Sequence, residues 1–199
     1  MAWVDYKKAY DMVPHSWLLE VTEMLGVAGN VRGLLEGSMG KWRTELTAGG
    51  EVLGTVDIKR GIFQGDSLSP LLFVMVMIPL SMILKEDESN KGVKLGNANG
   101  KVNHLLFMDD LKLYSSGEDE LASLMSVVEG YSRDIGMEFG MEKCAVLTME
   151  GGKRVKREGM ELPSGEMMKE VDDCGYKYFG VFQTEDVMDK EMKKRVRDE

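Results

Sequence analysis

Apolar residues recur along this chain with two periods, one near 3.6 that marks helices and one of two that marks strands. After Pro14 and Ser16, the residues Trp17, Leu18, Val21, Met24 and Leu25 share one helical face, and Gly26 ends the run. A second short helix is predicted through Val31, Leu34 and Leu35. Trp42, Thr44 and Leu46, then Val52, Val56 and Ile58, alternate on either side of "AGGE", the pattern of a hairpin turning at Gly49 and Gly50. The stretch 67–84 is apolar nearly all round, with Pro70 in its first turn. It reads as a helix buried in the core rather than one lying on a surface. Residues 102–107 and 111–114 predict a second hairpin with Asp109 and Asp110 at or beside its bend. Leu121, Leu124, Met125, Val128 and Ile135 return to helical spacing, and Gly136 is the stop. Beyond it, "CAVLTM" and "YKYFGVF" read as short strands around a glycine-rich loop, and Val187, Met188, Met192 and Val196 mark a terminal amphipathic helix. The succession predicts the α+β class, a mixed antiparallel sheet backed by helices on one face with the other face open.

Composition is that of an ordinary globular chain, 199 residues with 43% hydrophobic and 30% charged, enough for one substantial domain with a real core. The 17 methionines, scattered through the apolar pattern, read as adaptable core filler. Cys144 and Cys174 fit neither a disulfide framework nor a Cys-x-x-Cys metal site, so both read as structural thiols in a reducing compartment. The longest apolar run, 71–84, contains Pro79 and falls short of the roughly 20 residues a bilayer crossing requires. No charged leader precedes a hydrophobic segment at the N-terminus, so the expectation is an intracellular protein, cytoplasmic or nuclear, with no signal peptide and no membrane span. With 25 Lys and Arg against 34 Asp and Glu, the formal charge of −9 argues mildly against a polyanionic ligand. Basic residues nevertheless gather at Lys7 and Lys8, at Lys41 and Arg43, at Lys59 and Arg60, and in "KRVKR" at 153–157.

The chemistry begins in "LLFMDDLKLY", where two adjacent carboxylates interrupt an apolar run. Burying an unpaired charge is costly, so the pair must turn the chain, sit at a solvent edge or hold a cation. Asp5 ends another short apolar stretch, and its alternatives are a strand-end cap or a ligand. On an open-faced sheet a hairpin bend meets the end of a neighbouring strand, which would gather Asp5, Asp109 and Asp110 despite their separation in sequence. Together they would offer the hard oxygen donors that suit Mg2+. His15 and His104 have no companion residues and read as structural.

Taken in order, "DYKKAYD" (5–11), "RGIFQGDSLSPLLF" (60–73), "HLLFMDDLKLY" (104–114), "IGMEFGMEKC" (135–144) and "YKYFGV" (176–181) resemble the motifs of the reverse transcriptase palm, most closely those of non-LTR retroelements. The resemblance implies an RNA-directed DNA polymerase using two Mg2+ ions, or Mn2+ in their place, with an RNA template, a DNA primer and dNTPs as partners. Asp5 and Asp109 would bind both metals, Asp110 would make an outer contact, and the carbonyl of Tyr6 would complete one site. Tyr10 would stand beneath the sugar and clash with a ribose 2′-hydroxyl. Gln64 and Gly65 would meet the incoming nucleotide and template, and Arg60 a phosphate or the template. Lys143 would stand near the triphosphate and either neutralise charge or protonate the departing pyrophosphate. Tyr178 and Phe179 would pack in the hairpin that grips the primer. The domain reading is a palm over 1–183, truncated on its fingers side and with the thumb largely missing, followed by a helix over 184–199 that would begin a connection to the thumb. Fingers and thumb segments of a longer polyprotein are expected to supply the basic nucleic-acid channel. A non-catalytic palm that binds RNA or serves assembly is the alternative. An RNA-templated RNA polymerase is a third, for which Tyr10 is the wrong residue.

Overall fold

The computed structural model describes residues 1–86, 91–94, 100–172, 175–178 and 181–183. In chain order these form β1 (Ala2–Val4), a short 3-10 turn (Ala9–Met12), α1 (His15–Met24), α2 (Gly29–Met39), β2 (Arg43–Ala48), β3 (Glu51–Asp57) and α3 (Ser69–Glu86). There follow β4 (Val93–Lys94), β5 (Lys101–Val102), β6 (His104–Phe107), β7 (Asp110–Leu113) and α4 (Glu118–Asp134). The last third holds β8 (Ala145–Val146), β9 (Thr148–Glu150), β10 (Lys153–Val155), β11 (Met160–Glu161), β12 (Met167–Glu170), β13 (Tyr176–Tyr178) and β14 (Val181–Gln183). The amphipathic helix expected over 184–199, together with Cys174 and Phe179, lies outside the described residues.

The chain divides into two compact units, one of residues 1–5, 84–129 and 139–199, the other of residues 6–83 and 130–138. The first carries a six-stranded sheet in the order β11-β12-β8-β1-β7-β6. β1 lies between β7 and β8, antiparallel to both, with Trp3 opposite Lys112 on one side and Ala145 on the other. The expected mixed antiparallel sheet is present, and among its described pairs β12 runs parallel to β8. The excursion through the β9–β10 hairpin and β11 returns the chain to the sheet in the same direction, a connection that no local pattern encodes. Trp3, Ala145, Leu147 and Val171 form a buried cluster, with Tyr176 stacked on Trp3 at 4.9 Å between ring centroids. Within this unit α4 buries Leu121, Leu124, Met125 and Val128, the i, i+3, i+4, i+7 face its periodicity predicts.

In the second unit α1 packs on α2, and the predicted stop at Gly26 has a mechanism. The Gly26 N–H donates to the Glu23 carbonyl and the Val27 N–H to the Thr22 carbonyl, with Gly26 at φ 71°, a Schellman cap. The same pair of bonds closes α4 at Gly136, where the Met137 N–H reaches the Ser132 carbonyl. β2 and β3 turn at Gly49 and Gly50, both at positive φ as a type I′ turn demands. Their alternation implies one buried face, yet Leu46, Val52, Leu53 and Val56 are all exposed. α3 also departs from expectation: Leu72, Phe73, Val76, Met77, Leu80 and Leu84 are buried, but Leu71, Val74 and Met82 form an exposed stripe. A helix apolar all round is buried only where other elements reach it. Among the described residues α3 has the length and apolarity to cross a membrane, and its face of Leu72, Phe73, Val76, Met77 and Leu80 is covered by protein.

Lys112, inside β7, is 7% exposed, and its ammonium lies 4.5 Å from the Trp3 ring centroid and 5.2 Å from that of Tyr114. Burial pulls its pKa from 10.5 down to about 8, while the two ring faces favour the cation and oppose that fall. A lowered lysine pKa means that the unfolded chain binds the extra proton between the two values, so stability rises with pH from about 8 to about 10.5. Lys112→Met is expected to flatten that rise, as measured by chemical denaturation at several pH values across the window. An unchanged slope would assign the pH dependence elsewhere.

Candidate active site

Asp5, Asp109, Asp110 and Lys143 all belong to the sheet unit, and the strand register brings the carboxylates together. β1 and β7 pair with Val4 opposite Leu111, so one further step places Asp5 opposite Asp110. Directly opposed residues of an antiparallel pair have Cβ atoms about 5 Å apart. β6 and β7 pair with Phe107 opposite Asp110, which leaves Met108 and Asp109 as a two-residue turn. Asp109 is therefore the bend and Asp110 the first strand residue. Met108 takes φ 53°, a left-handed conformation that costs a side-chain-bearing residue about 1 kcal/mol. The turn that carries Asp109 is thus held by the hairpin rather than by local preference.

The charges of this pocket oppose one another. Burial raises the Asp5 pKa, the neighbouring Asp109 and Glu142 raise it further, and the Lys143 ammonium works against them. Lys143 stands 3.2 Å from Asp5 Oδ1, with the lysine exposed and the carboxylate side chain only 16% so. For Asp110 burial is again the first cause of a raised pKa, followed by repulsion from Asp109 and Asp5. The pKa of Lys143 is raised in turn, chiefly by its hydrogen bond to Asp5. Three mutually repelling, half-buried carboxylates make a place that a cation would stabilise, and their hard oxygens match Mg2+. Among the described residues no three acidic, thiol or imidazole side chains already stand as a ready-made metal cluster. The donor set still fits Mg2+, which takes few protein ligands and keeps positions for water and phosphate.

The other candidates lie in the second unit. The Tyr6 side chain is buried, its hydroxyl sharing a 2.9 Å hydrogen bond with Ser132. Tyr10 is half-buried and stacks nearly parallel on Phe73, with centroids 5.0 Å apart and planes at 12°. Gln64 and Gly65 are exposed in the turn before α3, where the Asp66 carboxylate accepts from the Leu68 N–H at 2.8 Å. The Arg60 guanidinium donates to backbone carbonyls of Met12, Ile135 and Gly136, fastening the C-terminus of α4 to the 3-10 turn. His15 Nε2 meets the Gly61 carbonyl at 2.7 Å, and in the first unit His104 Nδ1 meets Asn103 Oδ1 at 2.7 Å.

Sequence reasoning passed over two residues of this pocket. Gly140 and Cys144 both contact Asp5. Their proximity to Lys143 in "GMEKC" was the available signal.

The family model described as "Reverse transcriptase (RNA-dependent DNA polymerase)" matches residues 1–181. A retrovirus-related Pol polyprotein from the type-1 retrotransposable element R2 of Popillia japonica is 27% identical over 182 residues, covering 89% of this chain and 30% of that protein. The corresponding polyprotein of the type-2 element R2DM of Drosophila melanogaster is 27% identical over 185 residues, 89% of this chain and 17% of its own length. The chain thus spans less than a third of these relatives. Among solved structures, telomerase from Candida albicans superposes with a TM-score of 0.57 at 14% identity, over 81% of this chain and 28% of that one. Apo telomerase from Candida tropicalis truncated from its C-terminal domain gives 0.56 at 14% identity, over 85% and 35%. At such identity the likeness concerns the fold.

Proposed function

Because the chain belongs to the reverse transcriptase family, we propose that it carries the catalytic palm of an RNA-directed DNA polymerase of non-LTR retroelement type. The observation that supports this best is the register that ends with Val4 opposite Leu111 and so leaves Asp5 and Asp110 at neighbouring strand ends, with Asp109 in the adjoining turn. In this reading Asp5 and Asp109 hold two Mg2+ ions, or Mn2+ in their place, Asp110 lends an outer contact, and the Tyr6 carbonyl adds a ligand. The ions, when bound, activate the primer 3′-hydroxyl and stabilise the leaving pyrophosphate. Template RNA, primer DNA and dNTPs are the substrates, which places the reaction inside the cell, in cytoplasm or nucleus.

The protein's own side chains supply positioning and proton transfer. Lys143 keeps its proton while it pairs with Asp5. A cation on Asp5 would weaken that pair, lower the lysine pKa and free Nζ to give its proton to the pyrophosphate oxygen, as general acid catalysis requires. Gln64 and the backbone at Gly65 meet the incoming nucleotide and template from an exposed turn. Arg60 serves this surface by holding the loop that leads to it, its guanidinium being bound to carbonyl oxygens. Tyr10 is the sugar discriminator, its ring plane fixed by Phe73.

The test is primer extension on an RNA template with Mg2+, comparing dNTPs with rNTPs. Extension is expected with dNTPs, and Tyr10→Ala is expected to raise relative ribonucleotide use by on the order of 10-fold or more. Unchanged discrimination in that variant would remove Tyr10 from the role. Equal use of both nucleotides by the unaltered chain would favour an RNA polymerase instead.

A further inference from the structure

Asp5 is held by more than its own strand. The Gly140 N–H donates to the Asp5 carbonyl at 2.8 Å. The Cys144 sulfur accepts from the Asp5 N–H at 3.4 Å, and its thiol donates to the Asp5 carbonyl at 3.6 Å. The turn that presents both residues is closed on itself, since the N–H groups of Lys143 and Cys144 converge on the Gly140 carbonyl at 2.7 and 3.2 Å. It is anchored in the same sheet as Asp5, because Cys144 leads directly into β8, the antiparallel neighbour of β1. Gly140 approaches so closely that a Cβ there would lie 3.2 Å from Asp5 Oδ1 and 3.7 Å from the Asp5 carbonyl oxygen. Cys144 is buried, and burial pushes its thiol up to about 11, so it stays a neutral S–H donor rather than a nucleophile.

We propose that Gly140 and Cys144 are positioning residues for the Asp5 carboxylate. They engage the main chain of Asp5 at both its N–H and its C=O, and a side chain at Gly140 would crowd Oδ1 at 3.2 Å and push it by a few tenths of an ångström. The inference rests on the reading of Asp5 as a metal-binding group. Where no ready-made cluster awaits the ion, every degree of freedom already frozen at a ligand is one that binding need not freeze. A thiol suits the task because it donates and accepts at once.

The full chain and its variants are examined by amide hydrogen exchange at Asp5, by Mn2+ binding followed with electron paramagnetic resonance, and by thermal unfolding. Cys144→Ala is expected to speed exchange of the Asp5 amide, relative to that of Val4, by roughly 5-fold, the worth of one ordinary hydrogen bond. Cys144→Ser, which keeps a donor and an acceptor, is expected to restore protection. Gly140→Ala is expected to weaken Mn2+ binding by roughly 5-fold or more as the carboxylate gives way to the new methyl group. Should that variant unfold, the two Cys144 variants carry the test, with Cys144→Ala weakening Mn2+ binding and Cys144→Ser recovering it. Asp109→Asn is the control and is expected to lose Mn2+ binding altogether. Wild-type exchange and wild-type Mn2+ affinity in Cys144→Ala and Gly140→Ala, alongside loss in Asp109→Asn, would overturn the positioning role and leave the site reading intact. Mn2+ binding that survives Asp109→Asn would overturn both.

Discussion

Asp109→Asn is expected to lower nucleotidyl transfer on the order of 10³-fold, the scale seen when a group aimed at transition-state charge is removed. That corresponds to about 4 kcal/mol of barrier. The substitution changes the charge and little else. Asn fits the turn between β6 and β7 as readily as Asp, since both residues favour tight turns and tolerate unusual backbone angles. The Asp5 and Asp110 pKa values, both raised in part by Asp109, are expected to fall toward the ordinary carboxylate range, and the fold should be at least as stable as before. A site that holds like charges together gives up stability for chemistry, and neutralising one member returns some of it. Primer extension across a Mg2+ series, with a thermal melt of the same preparation, measures both halves. Wild-type transfer at every Mg2+ concentration would remove Asp109 from the mechanism.

The largest expected effect on stability is at Trp3. Its side chain is 1% exposed, lies against Ala145, Leu147 and Val171, and stacks on Tyr176. Trp3→Ala is expected to cost about 3–5 kcal/mol, a transfer term plus the cavity left where neighbours close only partly. Against a typical total of about 5–15 kcal/mol that is a large share. Trp3→Phe is expected to cost distinctly less, because an aromatic face remains for Tyr176 and Lys112 and the buried indole N–H, which has no hydrogen-bond partner among the described residues, is removed. Urea denaturation of the two variants gives the comparison. Equal losses would show that the indole N–H and the ring volume matter differently from this account. Trp3 lies in β1 two residues before Asp5, so a core anchor in the strand adjoins the carboxylate that follows its end.

Features with a local cause were readable from the chain. Gly26 and Gly136 each end a helix because an isolated residue able to adopt positive φ completes a cap within a few residues. Gly49 and Gly50 turn a hairpin for the same kind of reason. The double aspartate was placed to within a residue, the structure assigning the bend to Asp109 and the strand start to Asp110. Less was readable where burial decides. The alternation of β2 and β3 was correct as a strand pattern yet said nothing of the exposure of Leu46, Val52 and Val56, and the apolar circumference of α3 did not disclose which side would stay uncovered. The bonds of the Arg60 guanidinium to the carbonyls of Met12, Ile135 and Gly136 were not legible either, because they join segments 48 to 76 residues apart.

From the sequence by itself came the kinds of elements, their ends and the residue types able to hold a cation, since these depend on steric preference and periodicity over a few residues. Tertiary structure alone decided that β12 would lie parallel to β8, that the strand ends next to Asp5 and Asp110 would be paired, and that a thiol and a glycine would grip the Asp5 main chain. Those outcomes depend on strand register and on close approach between segments separated in the chain, for Asp5 by more than a hundred residues. Such contacts are selected by the packing of the whole sheet, which no short window of residues contains.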